Sequence, residues 1–510
     1  MNVRGRIGLA AALFMASAVG LILEIVAARL IAPYVGMSVY TWTAIIATVL
    51  AGMSVGHWIG GRLSESSDRK GLAWISLFFA LAAANVLAIP GLLRWSAPAF
   101  LGAEIDILTT VTGLSAALFF VPSLLVAATT PIMTRIAIDA EPERRGIVIG
   151  RMFALGAGGA ILGTLAAGFV FISWIGSQGT LMAVAAVLAA LAICFAVWVR
   201  AVRMARVAML VIVAAAGFAG LRFDDLLANA CNSESRYYCI RIVDYSAETE
   251  QRESRLMVLD HMAHGINDRD DPTRLHSSYV DLIDRMARVR FPDRNDLQSY
   301  FIGGGAYTLP RAWAVTYPEG HHLIAEIDPM VTQLARDMMW FEPAASLEIA
   351  HADARVQMRK IADTSLDVAI GDAYHDFSAP QHLVTVEFAR EVQAKLKPDG
   401  VYLMMVIDAA REPKFLLAML KTLHEVFPVV EIWVDARQMG GGGRLTYLLS
   451  AAATAVPGPV LVSEQDAGRR WQRVNPGVIA GTLSPDDVPV LTDDLAPVDR
   501  LMGAVAAQSR

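Results

Sequence analysis

The chain has 510 residues, enough for two or more domains, and is 55% hydrophobic with only 18% charged residues. Its mean hydropathy is +0.45, and a soluble globular protein carries roughly 25% charge, so part of the chain belongs in lipid. The formal net charge of −6 is mild and lacks the strongly basic balance of a nucleic-acid binder, so no nucleic acid is expected as a partner.

Apolar and polar residues are segregated along the chain. Up to about residue 221 the sequence is a series of long apolar runs, and from Arg222 onward it reads as an ordinary soluble protein. A membrane-spanning helix needs about 20 apolar residues. Seven stretches qualify: 7–33, 40–60, 72–93, 107–133, 147–172, 180–199 and 204–221. The predicted organisation is a multi-span domain over 1–221, a small β-subdomain over 222–275 and an α/β domain over 276–510. The first stretch runs on past Glu24 and Arg29 with no small-residue cleavage site after it, so it reads as a span and not as a cleaved signal. The expected location is the cell (inner) membrane, crossed several times, with the bilayer as a partner.

Loop charge sets the orientation. Arg4 and Arg6 precede the first span, Arg62, Arg69 and Lys70 follow the second, Arg144 and Arg145 follow the fourth, and Arg200, Arg203 and Arg206 follow the sixth. Lys and Arg concentrate on the cytoplasmic side, so the N-terminus is cytoplasmic. Seven spans then deliver the soluble half to the outer face. If the short seventh span re-enters, the soluble half returns to the cytoplasm. Cys231 and Cys239 pair if their segment faces an oxidising compartment and remain thiols otherwise.

Ionisable groups in lipid are costly and often functional. Glu24, Arg29 and His57 qualify, although Glu24 and Arg29 read more simply as partners of each other or of a neighbouring helix. Gly159 and Gly163 form a small-xxx-small pair suited to close helix packing. The Gly52-Met-Ser54-Val-Gly56 match to a nucleophile elbow lies inside a span, without the strand-turn-helix context that chemistry needs, and reads as packing too.

In the soluble half, 237–243 and 255–259 read as strands of a small antiparallel sheet and 276–289 as a helix. Strands at 300–302, 322–327, 347–350, 366–371 and 401–407 then alternate with helices at 308–316, 331–339, 356–362 and 385–396. That alternation predicts a Rossmann-like, doubly wound parallel sheet. Ligands of such sheets lie beyond the carboxyl ends of the strands, and each informative residue falls there. Gly303-Gly304-Gly305 closes the first strand, where the absence of a Cβ lets the backbone approach a ligand. Glu326 ends the second, about 20 residues on, placed to accept hydrogen bonds from a ribose diol. Asp353 follows the third, suited to an exocyclic amine of adenine, and Asp372 ends the fourth. Any one of them alone reads equally as a solvated acid or a helix cap. No Walker-type Lys follows the glycines, and the His and Cys residues show no metal-ligand spacing.

With these residues in place the chain resembles the spermidine synthase (aminopropyltransferase) family over residues 235–388. The resemblance is carried by Leu259-Asp260-His261-Met262-Ala263-His264, the three glycines, Glu326-Ile327-Asp328, His351-Ala352-Asp353-Ala354, and Asp372 with His382-Leu-Val-Thr-Val-Glu387-Phe388. The N-terminal half resembles prokaryotic members in which a multi-span segment precedes such a domain, through Leu23-Glu24, Arg29-Leu30, Trp42, Gly60-Gly61-Arg62 and Leu491-Thr-Asp-Asp494-Leu-Ala-Pro497. The resemblance implies a methyltransferase-type fold with a small N-terminal antiparallel sheet. It also implies transfer of an aminopropyl group from decarboxylated S-adenosylmethionine, a co-substrate and not a prosthetic group, to a small amine such as putrescine. Asp372 matches the family's base, Gly303, Gly304, Gly305, Glu326, Asp353 and Ala354 the donor site, and His264, Tyr279 and Asp376 the amine side. Relatives commonly form oligomers, so a homo-oligomer is expected. The amine side departs from the family: Ala306 replaces an acid after the glycines, His264 replaces a glutamine, and Asp372-Ala-Tyr-His375 replaces Asp-Ser-Ser-Asp. These departures keep two alternatives open. One is S-adenosylmethionine-dependent methyl transfer. The other is a non-enzymatic transporter or sensor for a polyamine or nucleoside. Cytoplasmic synthesis of adenosylated donors opposes the loop charges, so the face that carries the soluble half stays open.

Overall fold

The computed structural model describes residues 3–102, 107–199, 231–374, 379–439, 443–481 and 483–503. They fall into two compact units, 1–239 and 240–510.

The first unit is a helical bundle. Its helices are α1 (Val3–Val35), α2 (Val39–Ser64), α3 (Asp68–Gly102), α4 (Ile107–Ser115), α5 (Val121–Asp139), α6 (Arg145–Ala166) and α7 (Ile172–Trp198). Single π turns join α4 to α5 and α6 to α7. Among the described residues, five helical stretches are long and apolar enough to cross a membrane: Val3–Val35, Val39–Ser64, Asp68–Phe100, Leu108–Asp139 and Pro142–Trp198. The expected count of seven is therefore not confirmed. The expected fifth and sixth spans are joined in the 57 residues of Pro142–Trp198, and the expected seventh, 204–221, lies outside the described residues. At 1.5 Å per residue, 57 helical residues extend about 85 Å, against a hydrocarbon core of about 30 Å. The stretch breaks at Gly176, whose φ of 68° and ψ of 177° leave the helical region.

Helix packing in lipid lacks a hydrophobic driving force and depends on close backbone approach. Glycines supply it here. A β-carbon would sit 2.2 Å from the Phe14 carbonyl oxygen at Gly159 and 2.3 Å from that of Ala18 at Gly163, which sets α6 along α1 in the same direction. At Gly52, Gly56 and Gly60 a β-carbon would meet the carbonyl oxygens of Phe120, Leu124 and Ala128 at 2.6, 2.3 and 2.1 Å, so α2 lies along α5. The Gly52–Gly56 match is thus a packing seam. Ser76 Oγ donates to the Ala192 carbonyl at 2.8 Å, tying α3 to α7. Arg29 does not pair with Glu24. It lies 3.5 Å from Glu234, in the short strand β1 (Ser233–Glu234) that follows the bundle.

The second unit opens with an antiparallel sheet of β2 (Cys239–Asp244), β3 (Ser254–Leu259) and β4 (Met262–Asp268). Helix α8 (Ser278–Arg290) follows. The main sheet holds β5 (Gln298–Ile302), β6 (His321–Ala325), β7 (Leu347–Ala350), β8 (Leu366–Gly371), β9 (Leu396–Ala409), β10 (Val429–Asp435), β11 (Arg444–Ala452), β12 (Val460–Val462) and β13 (Arg470–Val474). Its order is β12-β13-β10-β11-β9-β8-β5-β6-β7. The β9-β8-β5-β6-β7 part is parallel, and the rest is antiparallel. Helices α9 (Thr308–Thr316), α10 (Pro329–Met338), α11 (Ala354–Met358), α12 (Val386–Lys395) and α13 (Lys414–His424) connect the strands. The buried faces of β9, β10 and β11 pack with Phe388, Phe415, Leu416 and Leu423 into one core.

The helical contacts leave no room for a larger side chain. Gly163→Leu should separate α6 from α1 and lower the yield of monodisperse detergent-purified protein several-fold. The lipid-facing Leu162→Ala, at a residue 55% exposed, should leave that yield unchanged.

Candidate active site

Register alignment brings the site together. Ile302 of β5 pairs with Ala325 of β6 and with Gly371 of β8, and Ala325 pairs with Ala350 of β7. Four strands therefore end at one level, and the residues that follow each end face a common edge. The ladder continues one step further. Gly303 N donates to the Ala325 carbonyl at 3.0 Å, Glu326 N to Ala350 at 3.1 Å, and Asp372 N to Ile302 at 3.1 Å.

The glycine turn has two positions no other residue fits well. Gly303 has φ 101°, and a β-carbon there would lie 2.6 Å from the Asp372 carbonyl oxygen. Gly305 has φ 50° and sits against β4, with a β-carbon 3.0 Å from the His264 carbonyl oxygen. The small sheet thus covers the turn. Ala306 is buried against it: a β-carbon on Gly265 would lie 2.7 Å from that of Ala306. Asn267 Nδ2 donates to the carbonyls of Ala306 and Met339, both at 2.9 Å, and Thr308 donates to Asn267 Oδ1 at 2.7 Å.

Glu326 is buried and ties the turn to β6. Gly304 N donates to one carboxylate oxygen at 2.9 Å and Asp328 N to the other at 2.8 Å. Burial raises its pKa, opposed by those N–H groups. Each oxygen keeps a lone pair for a further donor. Asp353 is the N-cap of α11, accepting from Val356 N at 3.0 Å, and His382 Nε2 lies 2.7 Å from its other oxygen. Its burial would raise the pKa, but Val356 N–H and His382 outweigh that and hold the carboxyl below its ordinary value. Ala354 is buried, and its carbonyl accepts from Tyr300 Oη at 2.6 Å.

Asp372 is partly exposed, while the surrounding protein removes most of its water. Burial raises its pKa to about 6, and the hydrogen bond from Tyr279 Oη at 3.0 Å pulls the other way. Burial and the adjacent carboxylate push the Tyr279 phenol well up, so it stays a donor. The helix that carries Tyr279 is itself held by residues far along the chain. Ser278 donates to Asp435 at 2.7 Å, Trp471 Nε1 to Ser278 at 2.9 Å, and Ser463 and Arg469 both donate to Asp281 at 2.7 Å.

The structure thus gathers Gly303, Gly304, Gly305, Glu326, Asp353, Ala354, Asp372 and Tyr279 at one sheet edge, with the His264 backbone beside Gly305. Asp376 lies outside the described residues. The sequence reading passed over His382 as a partner of Asp353, and the anchor formed by Arg355. Arg355 makes a two-pronged contact with Asp493 at 2.7 and 2.9 Å and reaches Glu391 at 3.0 Å. Asp493 also accepts from Thr385 at 2.7 Å. The signal was present, since Asp493 lies in the Leu-Thr-Asp-Asp stretch, but its partner is 138 residues away. Asp408 at the end of β9 is another buried acid, raised to about 7 by burial. It accepts from Ala409 N and Leu416 N at 2.7 and 2.8 Å, which caps the start of α13.

No family model matches the chain. The polyamine aminopropyltransferase of Vibrio vulnificus (strain CMCP6) is 36% identical over 102 residues, 20% of this chain and 34% of that protein. A probable polyamine aminopropyl transferase of Bifidobacterium longum (strain NCC 2705) is 30% identical over 107 residues, covering 21% and 23%. The chain thus spans about a third and a quarter of these two relatives. Polyamine aminopropyltransferase 1 of Streptomyces coelicolor is 24% identical over 478 residues, 88% of this chain and 84% of that protein, so that similarity runs through both units. Among solved structures, a probable spermidine synthase from Corynebacterium glutamicum is 21% identical with a TM-score of 0.44, covering 51% of this chain and 95% of that one. A spermidine synthase from Thermotoga maritima is 21% identical with a TM-score of 0.30, covering 39% and 66%.

Asp353 caps a five-residue helix and holds His382. Asp353→Ala should cost about 1 kcal/mol from the lost cap alone, lowering the melting midpoint of the purified protein by a few degrees. Asp353→Asn, which keeps a capping oxygen, should recover most of that midpoint.

Proposed function

We propose that this relative of the polyamine aminopropyltransferases is a membrane-bound aminopropyltransferase with Asp372 as its base. The observation that carries the reading is the Asp372–Tyr279 pair. It places a dehydrated but reachable carboxylate, held by a neutral phenol, at the strand end beside the glycine turn.

The reaction is a displacement at a carbon next to a sulfonium. The amine nitrogen forms the new C–N bond, the C–S bond breaks, and its electron pair neutralises sulfur to leave methylthioadenosine. An ammonium has no lone pair to attack with. Asp372 accepts the proton and holds the amine in line. A carboxylate with a pKa near 6 is ionised at neutral pH yet a better proton acceptor than an ordinary aspartate, as general-base catalysis favours. Glu326 accepts from the ribose hydroxyls with its remaining lone pairs while the glycine turn approaches the donor. Asp353, with His382 and Ala354, receives the adenine edge. Tyr279 orients Asp372, and the amine falls to His264, with Asp376 proposed for the same side from its place in the sequence alone.

One feature favours methyl transfer from S-adenosylmethionine as a second reading. Ala306 occupies the position of an acid suited to a donor's terminal amine, and it is buried against Gly265. Mass spectrometry on the detergent-purified chain, incubated with each donor and a panel of amines, separates the two. Methylthioadenosine supports aminopropyl transfer and S-adenosylhomocysteine supports methyl transfer. Neither product with any acceptor would reject both.

Asp372→Asn should reduce transfer about a hundredfold or more while donor binding persists by calorimetry. It should also stabilise the fold at neutral pH. The folded pKa of about 6 lies above the ordinary aspartate value of 3.8, so the native state binds the proton more tightly and loses stability as pH rises from about 4 to 6. Removing the charge should restore about 1–3 kcal/mol at pH 8 and nothing at pH 4.

The rate should fall as pH drops through about 6. Tyr279→Phe removes the hydrogen bond that favours the carboxylate, so the acid limb of its pH–rate profile should move to higher pH. An unmoved limb would exclude Asp372 as the titrating group.

A further inference from the structure

The bundle has two chemically different ends, and contacts within the first unit identify them. One end gathers the start of α1, the end of α2, the start of α3, the end of α5 and the start of α6. Arg6 pairs with Glu141 at 2.7 Å, and Arg135 reaches Asp68 at 3.3 Å and the Ser66 carbonyl at 2.6 Å. Nine of the eleven Lys and Arg residues before residue 200 lie at this end; the other two, Arg29 and Arg94, lie at the opposite one. Along α1, 23 residues separate Arg6 from Arg29, about 35 Å at 1.5 Å per residue, which matches a bilayer core of about 30 Å.

The opposite end carries a clasp. Cys231 and Cys239 form a disulfide. Within the loop it closes, Glu234 lies 3.5 Å from Arg29 and accepts from Ser177 N at 2.8 Å and from Ser177 Oγ. Arg29 in turn donates to the carbonyls of Tyr237 and Ser235 at 2.7 and 2.5 Å. Arg29 and Glu234 are both largely buried, and the carbonyl and Ser177 contacts satisfy groups that would otherwise be costly to enclose. Ser177 directly follows the break at Gly176, so the clasp grips the bundle at the break within α7.

Residues 198 and 231 mark opposite ends of the bundle. Trp198, at the end of α7, packs against Gly8 near the start of α1: a β-carbon on Gly8 would lie 3.7 Å from its ring. Residue 198 is therefore at the basic end and residue 231 at the clasped end, and the chain has crossed an odd number of times on reaching Cys231.

We infer that the Cys231–Cys239 clasp stands on the non-cytoplasmic face of the membrane and that residues 240–510, which leave the bundle there, work outside the cytoplasm. Two independent observations agree. Lys and Arg concentrate on the cytoplasmic side of membrane proteins, a bias that ignores acidic residues. Disulfides persist in oxidising compartments and not in the cytosol. The opposite orientation would put nine basic residues outside and a disulfide inside. This topology stands apart from the aminopropyl reading. With that reading, the nucleoside sulfonium donor and the amine meet on the outer face, and the thioether nucleoside is released there.

Labelling of the full-length chain in intact host cells with a membrane-impermeant maleimide tests it. A Cys194→Ser background removes the one free thiol among the described residues. Glu319→Cys then reports on the second unit and Glu143→Cys on the basic end; both positions are exposed. We expect Glu319→Cys to label in intact cells and Glu143→Cys only after permeabilisation. The reverse pattern would overturn the inference. The Cys194→Ser parent, denatured without reductant, should take up no label, and two labels per chain after reduction. Full labelling before reduction would overturn the oxidising placement whatever the enzyme assays show, and loss of enzymatic turnover would leave the topology result intact.

Discussion

The candidate site of the second unit depends on the common level at which four parallel strands end. Ile302, Ala325, Ala350 and Gly371 stand in register, so the glycine turn, Glu326, Asp353 and Asp372 are delivered to one line without any of them needing to find another. A slip of one residue in any strand would turn that residue to the other face of the sheet. Backbone bonds beyond the strand ends continue the ladder into the site, and Glu326 closes it by gripping Gly304 N and Asp328 N. The turn is thus built as an extension of the sheet.

Asp372 shows the cost of that arrangement. Burial makes its charge unfavourable and raises its pKa to about 6, while Tyr279 supplies one hydrogen bond in compensation. The compensation depends on α8 being held in place, and α8 is anchored by Asp435, Ser463, Arg469 and Trp471 from the antiparallel extension of the sheet. Strands that carry no site residue therefore set the position of one that does. Asp493 acts in the same way from the end of the chain, fixing Arg355 two residues after Asp353.

The helical unit solves a different problem with different means. Its helices approach through glycines because apolar side chains have no preference for protein over lipid. Its polarity lies at the helix ends, where Arg6, Arg135 and their acidic partners gather at one end and the disulfide clasp at the other. Arg29, an ionisable residue in an apolar helix, holds the segment that leads into the second unit.

Much of this was legible in the sequence. The segregation of apolar and polar residues revealed the two-part plan, and the strand–helix alternation revealed the parallel sheet. The position of acids just after each predicted strand singled out Glu326, Asp353 and Asp372, because strand ends are local features and a parallel sheet aligns them. Seven apolar stretches were also legible, but hydropathy alone could not show that two of them run on through Pro142–Trp198 and part only at Gly176. Contacts between distant residues were not legible at all. The sequence contained Tyr279, Arg29 and Asp493, yet nothing near them in the chain named Asp372, Glu234 or Arg355 as partners. The strands from β10 onward lie past the stretch that the motifs cover, and their role in holding α8 exists only once the sheet has formed. Sequence by itself determined which residue types stand at which strand ends, since that follows from local periodicity. Tertiary structure alone decided which carboxylate loses its water and which cation meets which anion, because desolvation and pairing depend on neighbours that the chain brings together only by folding.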